Sequence, residues 1–264
     1  MKQLLARVRS ILKRRRSVEL AVMALDRIVR PFGLGLISFT RYAAVPAPRK
    51  EEASERQFDR IAADNLWGSA ESLSGKGSEI HQSAPYRARL VRLIEKRNFA
   101  SMFDAPCGDL NWMRLVLEQC PIDYLGGDIS ATVVELNRTR YPQLRFTRFD
   151  VTRDTFPAAD VWHCRDCLFH LSEEDIFLAL RNFVSSKIPF ALITNHRGMI
   201  RNVDIETGGW RYLDLMRAPF NLPRPLERLS DYRFGDLPQM VGLWSRAQIE
   251  QAMSAPAQAA PGNG

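Results

Sequence analysis

The residues best suited to chemistry follow short apolar runs that are typical of buried strands. Asp104 ends the run that begins at Ser101, and Gly108 follows in a turn before helical spacing resumes at Leu110. Asp128 ends a second such run, twenty positions after Gly108. In doubly wound folds an acid at that spacing accepts hydrogen bonds from ribose hydroxyls, and a glycine lets a ligand approach the backbone closely. The two strands therefore predict a site for a nucleoside-containing cofactor.

Four segments of the chain resemble the cofactor motifs of the class I S-adenosylmethionine-dependent methyltransferases, within about residues 99–195. The resemblance implies S-adenosyl-L-methionine as the cofactor. It also implies an α/β fold: a Rossmann-like, doubly wound, seven-stranded sheet, mostly parallel with an antiparallel strand near the C-terminus, and helices on both faces. The matching segments are 103–109 (Phe-Asp-Ala-Pro-Cys-Gly-Asp), 124–128 (Tyr-Leu-Gly-Gly-Asp), 148–150 (Arg-Phe-Asp) and 160–172, which contains Cys-Arg-Asp-Cys.

The same resemblance implies a set of cofactor-binding positions. Asp150 matches the acid that contacts the adenine amino group, and Trp67 and Gln82 belong to an amino-terminal segment of the kind that often covers the cofactor. A nicotinamide dinucleotide is disfavoured, because the Gly-x-Gly-x-x-Gly turn that seats a pyrophosphate is absent around Gly108. The predicted cofactor contacts are Asp104, Ala105, Cys107, Gly108, Asp109, Asp128, Ile129, Asp150, Val151, Arg165, Trp67 and Gln82.

Asp166 and His170 are the candidate catalytic residues. They follow the fourth predicted strand, 160–164, and turns after parallel strands lie at the ligand-binding edge of a sheet. Methyl transfer to a hydroxyl requires alignment of the nucleophile and removal of its proton, and a histidine titrates near neutrality. His170 could equally be structural, packing at the start of the helix that Ser172 caps. Asp166 is expected nearer to the cofactor than to the reaction.

The acceptor is predicted from this turn and from a long insertion, residues 198–239. The turn lacks the Asn/Asp-Pro-Pro-aromatic pattern of planar-amine methylation, and no Pro-Cys loop of pyrimidine carbon methylation follows the fourth strand, so oxygen or a non-planar nitrogen is expected. The insertion could form a substrate cap whose aromatics stack on a sugar or ring and whose arginines hold an anionic group. Its aromatics could instead form a small core of their own. The side chains are Trp210, Tyr212, Phe220, Arg197, Arg201 and Arg211.

The net charge of +7 comes from the amino terminus, which contains nine of the 37 Lys and Arg residues and two of the 30 acidic ones within residues 1–30. The neutral remainder disfavours nucleic-acid binding. We predict that residues 1–30 form a basic amphipathic helix, which either contacts an anionic membrane at its inner face or packs as a solvated helix. A connector (31–64), a methyltransferase domain (65–253, with a flap and helix at 65–98) and a disordered tail (254–264) follow.

Four cysteines fit a reduced cytoplasm, and the Cys164-x-x-Cys167 pair lacks further ligands for zinc, so no metal is predicted. The predicted function is cytoplasmic S-adenosylmethionine-dependent methylation of a hydroxyl on a sugar, glycan or small molecule. The alternatives are a non-catalytic module that binds the cofactor and an RNA methyltransferase. The Trp67 loop, the Cys164 turn and the 208–211 segment (Gly-Gly-Trp-Arg) resemble a bacterial subfamily associated with cell-surface polysaccharide clusters, which favours a glycan acceptor.

Overall fold

A computed structural model describes residues 54–231 and 238–254. The predicted basic helix (1–30) and nearly all of the predicted tail (254–264) lie outside the described residues. The strands are β1 (Ser101–Asp104), β2 (Asp123–Asp128), β3 (Arg145–Arg148), β4 (Val161–Cys164), β5 (Phe190–His196), β6 (Glu227–Ser230) and β7 (Gln239–Ser245). The helices are α1 (Ser54–Ala63), α2 (Ile80–Arg97), α3 (Arg114–Leu117), α4 (Ala131–Arg140), α5 (Glu173–Val184) and α6 (Arg246–Ser254), with 3-10 turns at Lys76–Ser78 and Leu168–His170.

The seven described strands form one sheet in the order β3-β2-β1-β4-β5-β7-β6. Strands β1 to β5 are parallel, and β7 is antiparallel to both β5 and β6. The strand order reverses between β1 and β4, which is where doubly wound sheets open a crevice for ligands. The predicted fold class is therefore confirmed. Strand β6 lies within the segment predicted as a substrate cap, so part of that insertion completes the sheet instead.

Alternate residues of the central strands pack on opposite faces of the sheet. Met102 and Leu192 pack with the buried side of α2, whereas Phe103 and Ile193 pack with α5. This alternation follows from the two-residue period of a strand, and full burial of each such side chain contributes roughly 1.5–3 kcal/mol to folding. The two apolar layers hold the strand ends rigidly, and the strand ends position the site.

Helix α1 occupies part of the predicted connector (31–64). Ile61 and Ala62 are buried, and Phe58 packs beside the core at the same helical spacing. Its polar side is also attached, because Asp59 accepts a hydrogen bond from the Ser130 hydroxyl. The sequence of α1 contains this amphipathic pattern, but the prolines that precede it favoured the prediction of a linker over the whole of residues 31–64.

Candidate functional site

A cavity of about 260 Å³ lies at the carboxyl-terminal edge of the parallel strands. Its wall combines residues after β1, β2, β3 and β4 with parts of α1, the 67–78 loop and the insertion. Eleven of the fourteen predicted site residues line it, which brings together positions about one hundred residues apart in sequence. They are Trp67, Asp104, Cys107, Gly108, Asp128, Ile129, Asp150, Val151, Arg165, Asp166 and His170.

Ala105, Asp109 and Gln82 are not among the residues that line the cavity. Ala105 is fully buried, and its carbonyl accepts a hydrogen bond of 2.9 Å from the Trp162 indole. The Asp109 carboxylate accepts hydrogen bonds of 2.8 Å from both the Ser72 hydroxyl and the Leu73 amide. Asp109 therefore anchors part of the predicted flap, at Ser72 and Leu73, and we assign it that positioning role.

The Asp128 carboxylate lies where β2 ends, and backbone amides fix its orientation. One oxygen accepts a hydrogen bond from the Gly108 amide and the other from the Ser130 amide, each at 3.0 Å. Burial raises the pKa of Asp128 to about 6, although the two amides act in the opposite direction. Each oxygen keeps a second lone pair, so the carboxylate can accept from two adjacent hydroxyls.

Gly108 needs to be glycine on two grounds. Its φ is 55°, in the left-handed region where a side chain is strained. A Cβ atom there would also overlap the Ser74 hydroxyl of the flap. The turn after β1 and the flap are therefore in direct contact at the cavity wall.

A buried polar chain that we did not predict lies at the bottom of the cavity. The Asp104 carboxylate contacts His163 Nδ1 at 2.5 Å and accepts a hydrogen bond of 2.7 Å from the Tyr124 hydroxyl. On the other side of the imidazole, the Tyr86 hydroxyl lies 2.8 Å from His163 Nε2. Burial raises the pKa of both tyrosines, so the phenols stay neutral. A histidine inside the otherwise apolar strand β4 was the one sequence signal for this chain.

Arg165 presents a buried cation to the cavity. Its guanidinium donates to both carboxylate oxygens of Asp231, at 2.8 and 3.1 Å, and to the Gly77 carbonyl at 3.1 Å. The guanidinium also lies over the rings of Tyr86 and Trp112, at 5.2 and 5.1 Å from their centroids. Burial acts to lower the pKa of Arg165, but the neighbouring carboxylates raise it above its ordinary value. This side chain stays charged and cannot turn freely.

Asp166 and His170 differ in the hydrogen bonds that their side chains already make within the protein. Asp166 pairs with Arg165 at 3.3 Å, and one of its oxygens accepts a hydrogen bond of 2.8 Å from the Gln239 amide. His170 Nδ1 lies 2.8 Å from the Gly209 carbonyl, which can only accept, so Nδ1 carries the proton and Nε2 is the basic nitrogen. Burial lowers the pKa of His170 to about 4. The imidazole is therefore neutral near pH 7.

Aromatic rings pack around His170. The Trp67 ring centroid is 5.2 Å from that of His170, and the Phe169 centroid is 4.5 Å away. Trp210 of the insertion lines the same region and packs on Phe169. In contrast, Phe220 is almost fully buried against Phe177, as a core residue. The insertion thus serves both as cavity wall and as core.

No protein-family model and no curated protein matches the chain. Solved structures do resemble it. Magnesium protoporphyrin IX methyltransferase from Synechocystis PCC 6803, solved with S-adenosylmethionine bound, aligns at 12% identity and a TM-score of 0.54 over 75% of this chain and 100% of that chain. The 1,6-didemethyltoxoflavin-N1-methyltransferase of Burkholderia thailandensis aligns at 15% identity and a TM-score of 0.53, over 79% and 97%. The chain has the fold of the class I S-adenosylmethionine-dependent methyltransferases.

Within residues 54–231 and 238–254, no cluster of three or more His, Cys, Asp or Glu side chains is arranged to hold a metal ion. Over the same stretch, no helix combines the length and apolar character required to span a bilayer.

Proposed function

We propose that the protein is an S-adenosylmethionine-dependent methyltransferase whose acceptor atom is a hydroxyl oxygen. The observation that carries this proposal is one cavity lined by both Asp128 and His170, whose basic nitrogen is the unprotonated Nε2. The first is suited to bind a ribose and the second to accept a proton. The methyltransferase structures that share the fold, two of which contain S-adenosylmethionine or S-adenosylhomocysteine, support the choice of cofactor.

The cofactor-binding roles follow from the positions of the charged groups. Asp128 would accept hydrogen bonds from the ribose hydroxyls, and Asp150, after β3, is the candidate for the adenine amino group. Arg165 is suited to the carboxylate of the methionine part and Asp104 to its ammonium group, since both line the same cavity. Bound S-adenosylmethionine supplies an activated methyl group on a positively charged sulfur.

The chemical step needs an aligned oxygen and a proton acceptor. His170 Nε2 is held in place by the hydrogen bond from Nδ1 to Gly209, and burial keeps the ring neutral. A hydroxyl that donates to Nε2 would direct a lone pair away from the imidazole. Its proton would pass to Nε2 as the carbon–oxygen bond forms and the methyl carbon–sulfur bond breaks, with S-adenosylhomocysteine as the leaving group. Because burial lowers the pKa of His170 to about 4, Nε2 is a weaker base than that of an ordinary histidine and would not retain the proton at neutral pH.

The acceptor is proposed to be a sugar, a glycan or a small ring compound. Trp67, Phe169 and Trp210 supply apolar faces around His170, and such faces commonly stack on sugar rings and aromatic rings. The glycan is the first choice because of the sequence resemblance of the Trp67 loop and the 208–211 segment to a polysaccharide-associated subfamily. A small metabolite is the second.

Two experiments test the proposal in order. Calorimetry should show that the purified chain binds S-adenosylhomocysteine, and that Asp128→Asn weakens binding whereas Asp123→Asn, at the exposed opposite end of β2, does not. Incubation with methyl-labelled S-adenosylmethionine and fractionated cell extract, followed by mass spectrometry, should then place the label on oxygen. Tight binding with no labelled product in any fraction would instead indicate a non-catalytic binding module.

A further inference from the structure

Arg211 carries a buried positive charge that its described surroundings do not pair. The residue is 6% exposed, and none of its three guanidinium nitrogens has a hydrogen-bond partner among residues 54–231 and 238–254. Arginine is almost never buried without a partner, because removing its charge from water is costly and the group cannot lose its proton in compensation. An arrangement of this kind is expected where a ligand supplies the missing anion.

The nearest carboxylates compensate this charge only in part. Asp204 is exposed, and one of its oxygens already accepts hydrogen bonds of 2.8 Å from the Glu173 and Ile205 amides. Glu173 is half-buried at the start of α5. Burial lowers the pKa of Arg211, and the charges of Asp204 and Glu173 offset this effect only partly. The positive charge of the Arg211 guanidinium is therefore not fully compensated by these two carboxylates.

Arg211 lies behind the part of the cavity wall that contains His170. The segment 208–211 runs along the turn after β4: the Gly208 amide donates to the His170 carbonyl at 2.7 Å, and the Arg211 amide donates to the Phe169 carbonyl at 3.2 Å. Trp210, the preceding residue, lines the cavity. The Arg211 charge is also close enough to lower the pKa of His170.

A second unpaired donor belongs to the same part of the cavity. Within the described residues the indole nitrogen of Trp67 is buried and has no hydrogen-bond acceptor. Its ring lines the cavity with the centroid 5.2 Å from that of His170. An indole N–H can only donate. The cavity wall beside His170 therefore contains one buried donor without an acceptor, the Trp67 indole, and Arg211 adds an unpaired positive charge behind that wall.

We infer that the methyl acceptor carries an anionic oxygen group, a carboxylate or a phosphate, on the ring that bears the reacting hydroxyl. Arg211 attracts this group and the Trp67 indole donates to it, with the ring against Trp67, Phe169 and Trp210. The inference rests on the proposed function, since it concerns the acceptor side of the same cavity. It makes the acceptor an acid such as a uronic acid, a hydroxy-aromatic acid or a sugar phosphate.

The test compares ring compounds that differ in one ionised group, titrated by calorimetry into protein saturated with S-adenosylhomocysteine. The pairs are glucuronate with glucose, 4-hydroxybenzoate with its methyl ester, and glucose 6-phosphate with glucose. The wild-type protein should bind one of the anions at least tenfold more tightly than its neutral partner, and the carboxylate and phosphate pairs show which group is preferred. Equal binding of charged and neutral partners in every pair would overturn the inference.

Variants then assign the preference to Arg211. Arg211→Met should abolish it, Arg211→Lys should retain part of it, and Arg201→Met should leave it unchanged, because Arg201 is exposed in the same insertion. If Arg211→Met does not fold, the loss of at least threefold of the preference in Arg211→Lys decides the question, since lysine keeps the charge but lacks the planar fork. A preference in Arg211→Met equal to that of the wild type, or, where that variant does not fold, a loss of less than threefold in Arg211→Lys, overturns the assignment. S-adenosylhomocysteine binding is measured in parallel, and its absence from the wild type would instead defeat the proposed function.

Discussion

The proposed cofactor side of the cavity, around Asp128, and the proposed acceptor side, around His170, are built in different ways. The cofactor side uses consecutive strand ends, and its key group, Asp128, is oriented by backbone amides that belong to the turns themselves. The acceptor side joins the turn after β4 to the 67–78 loop and to the insertion, which are separated by more than a hundred residues along the chain. Local backbone geometry fixes the first side, whereas packing between distant segments fixes the second. Substitutions on the two sides should therefore have separable effects.

The largest expected effect comes from the acceptor side. His170→Asn keeps a donor for the Gly209 carbonyl but removes the basic nitrogen, so kcat for methyl transfer should fall by about 10²- to 10⁴-fold. Binding of S-adenosylhomocysteine should stay within about twofold, because the cofactor groups are untouched. Steady-state kinetics and calorimetry measure the two quantities. His81→Asn, on the exposed face of α2, is the matched control. A loss of cofactor affinity without a loss of kcat would reverse the two assignments.

The second effect comes from the cofactor side. Asp128→Asn replaces a charged acceptor by a neutral amide and should weaken S-adenosylhomocysteine binding by about 10- to 100-fold, since hydrogen bonds to charged groups contribute roughly 1.5–3 kcal/mol. At saturating cofactor, kcat should change by less than about threefold. Titration calorimetry and kinetics at high cofactor concentration separate these outcomes. Asp123→Asn on the same strand should behave as wild type, and equal weakening in both variants would argue against a specific contact.

A third test uses pH to distinguish the two sides. Because the pKa of Asp128 is about 6 and ribose hydroxyls donate best to its ionised form, cofactor affinity should fall about tenfold from pH 7 to pH 5. His170, with a pKa of about 4, should add no loss of kcat over this range. Binding titrations and saturated rates at several pH values measure both. An acid limb near pH 6 in kcat would show that His170 is not the group we describe.

The Asp128 carboxylate should also influence the stability of the cofactor-free protein. Its pKa is raised on folding, from 3.8 to about 6, so the stabilising contribution of the bound proton is lost as pH rises through about 6. Asp128→Asn should remove this dependence, and the difference in unfolding free energy between variant and wild type should grow from pH 4 to pH 6 by about 2 kcal/mol in favour of the variant. Chemical denaturation across this range measures it. A constant difference would contradict the raised pKa.

The smallest effect is expected at the junction of the two sides. Asp109→Asn loses the charge in the hydrogen bonds that hold Ser72 and Leu73, so the flap should be less well ordered and cofactor affinity should fall by about two- to fivefold. Asp64→Asn, at the exposed start of the same region, is the control. Limited proteolysis should show faster cleavage within residues 69–78. An effect as large as that of Asp128→Asn would mean that Asp109 contacts the cofactor itself.

The sequence was sufficient to predict those features of the fold and site that depend on a local residue pattern. The strand-turn-helix segment at Gly108 and the acid that ends β2 were recognisable because their geometry is encoded within about ten residues. The sequence did not reveal that Asp109 holds the flap, that His163 joins Asp104 to Tyr86, or that Asp59 of α1 binds Ser130. Each of these contacts joins segments far apart in sequence, and neither periodicity nor spacing reports such pairings. Strand β6 was missed for the same reason, since its pairing with β7 gives it its role.

The attachment of His170 to the 208–211 segment limits how this protein could be redirected to new compounds. The segment that shapes the acceptor wall through Trp210 also orients the imidazole through Gly209. Under the proposed function, exchanging the insertion for that of a methyltransferase of the same fold would change acceptor selectivity and proton removal together, so most exchanged variants would lose activity. Engineering should therefore begin with single side chains such as Trp210, leaving the backbone from Gly208 to Arg211 intact.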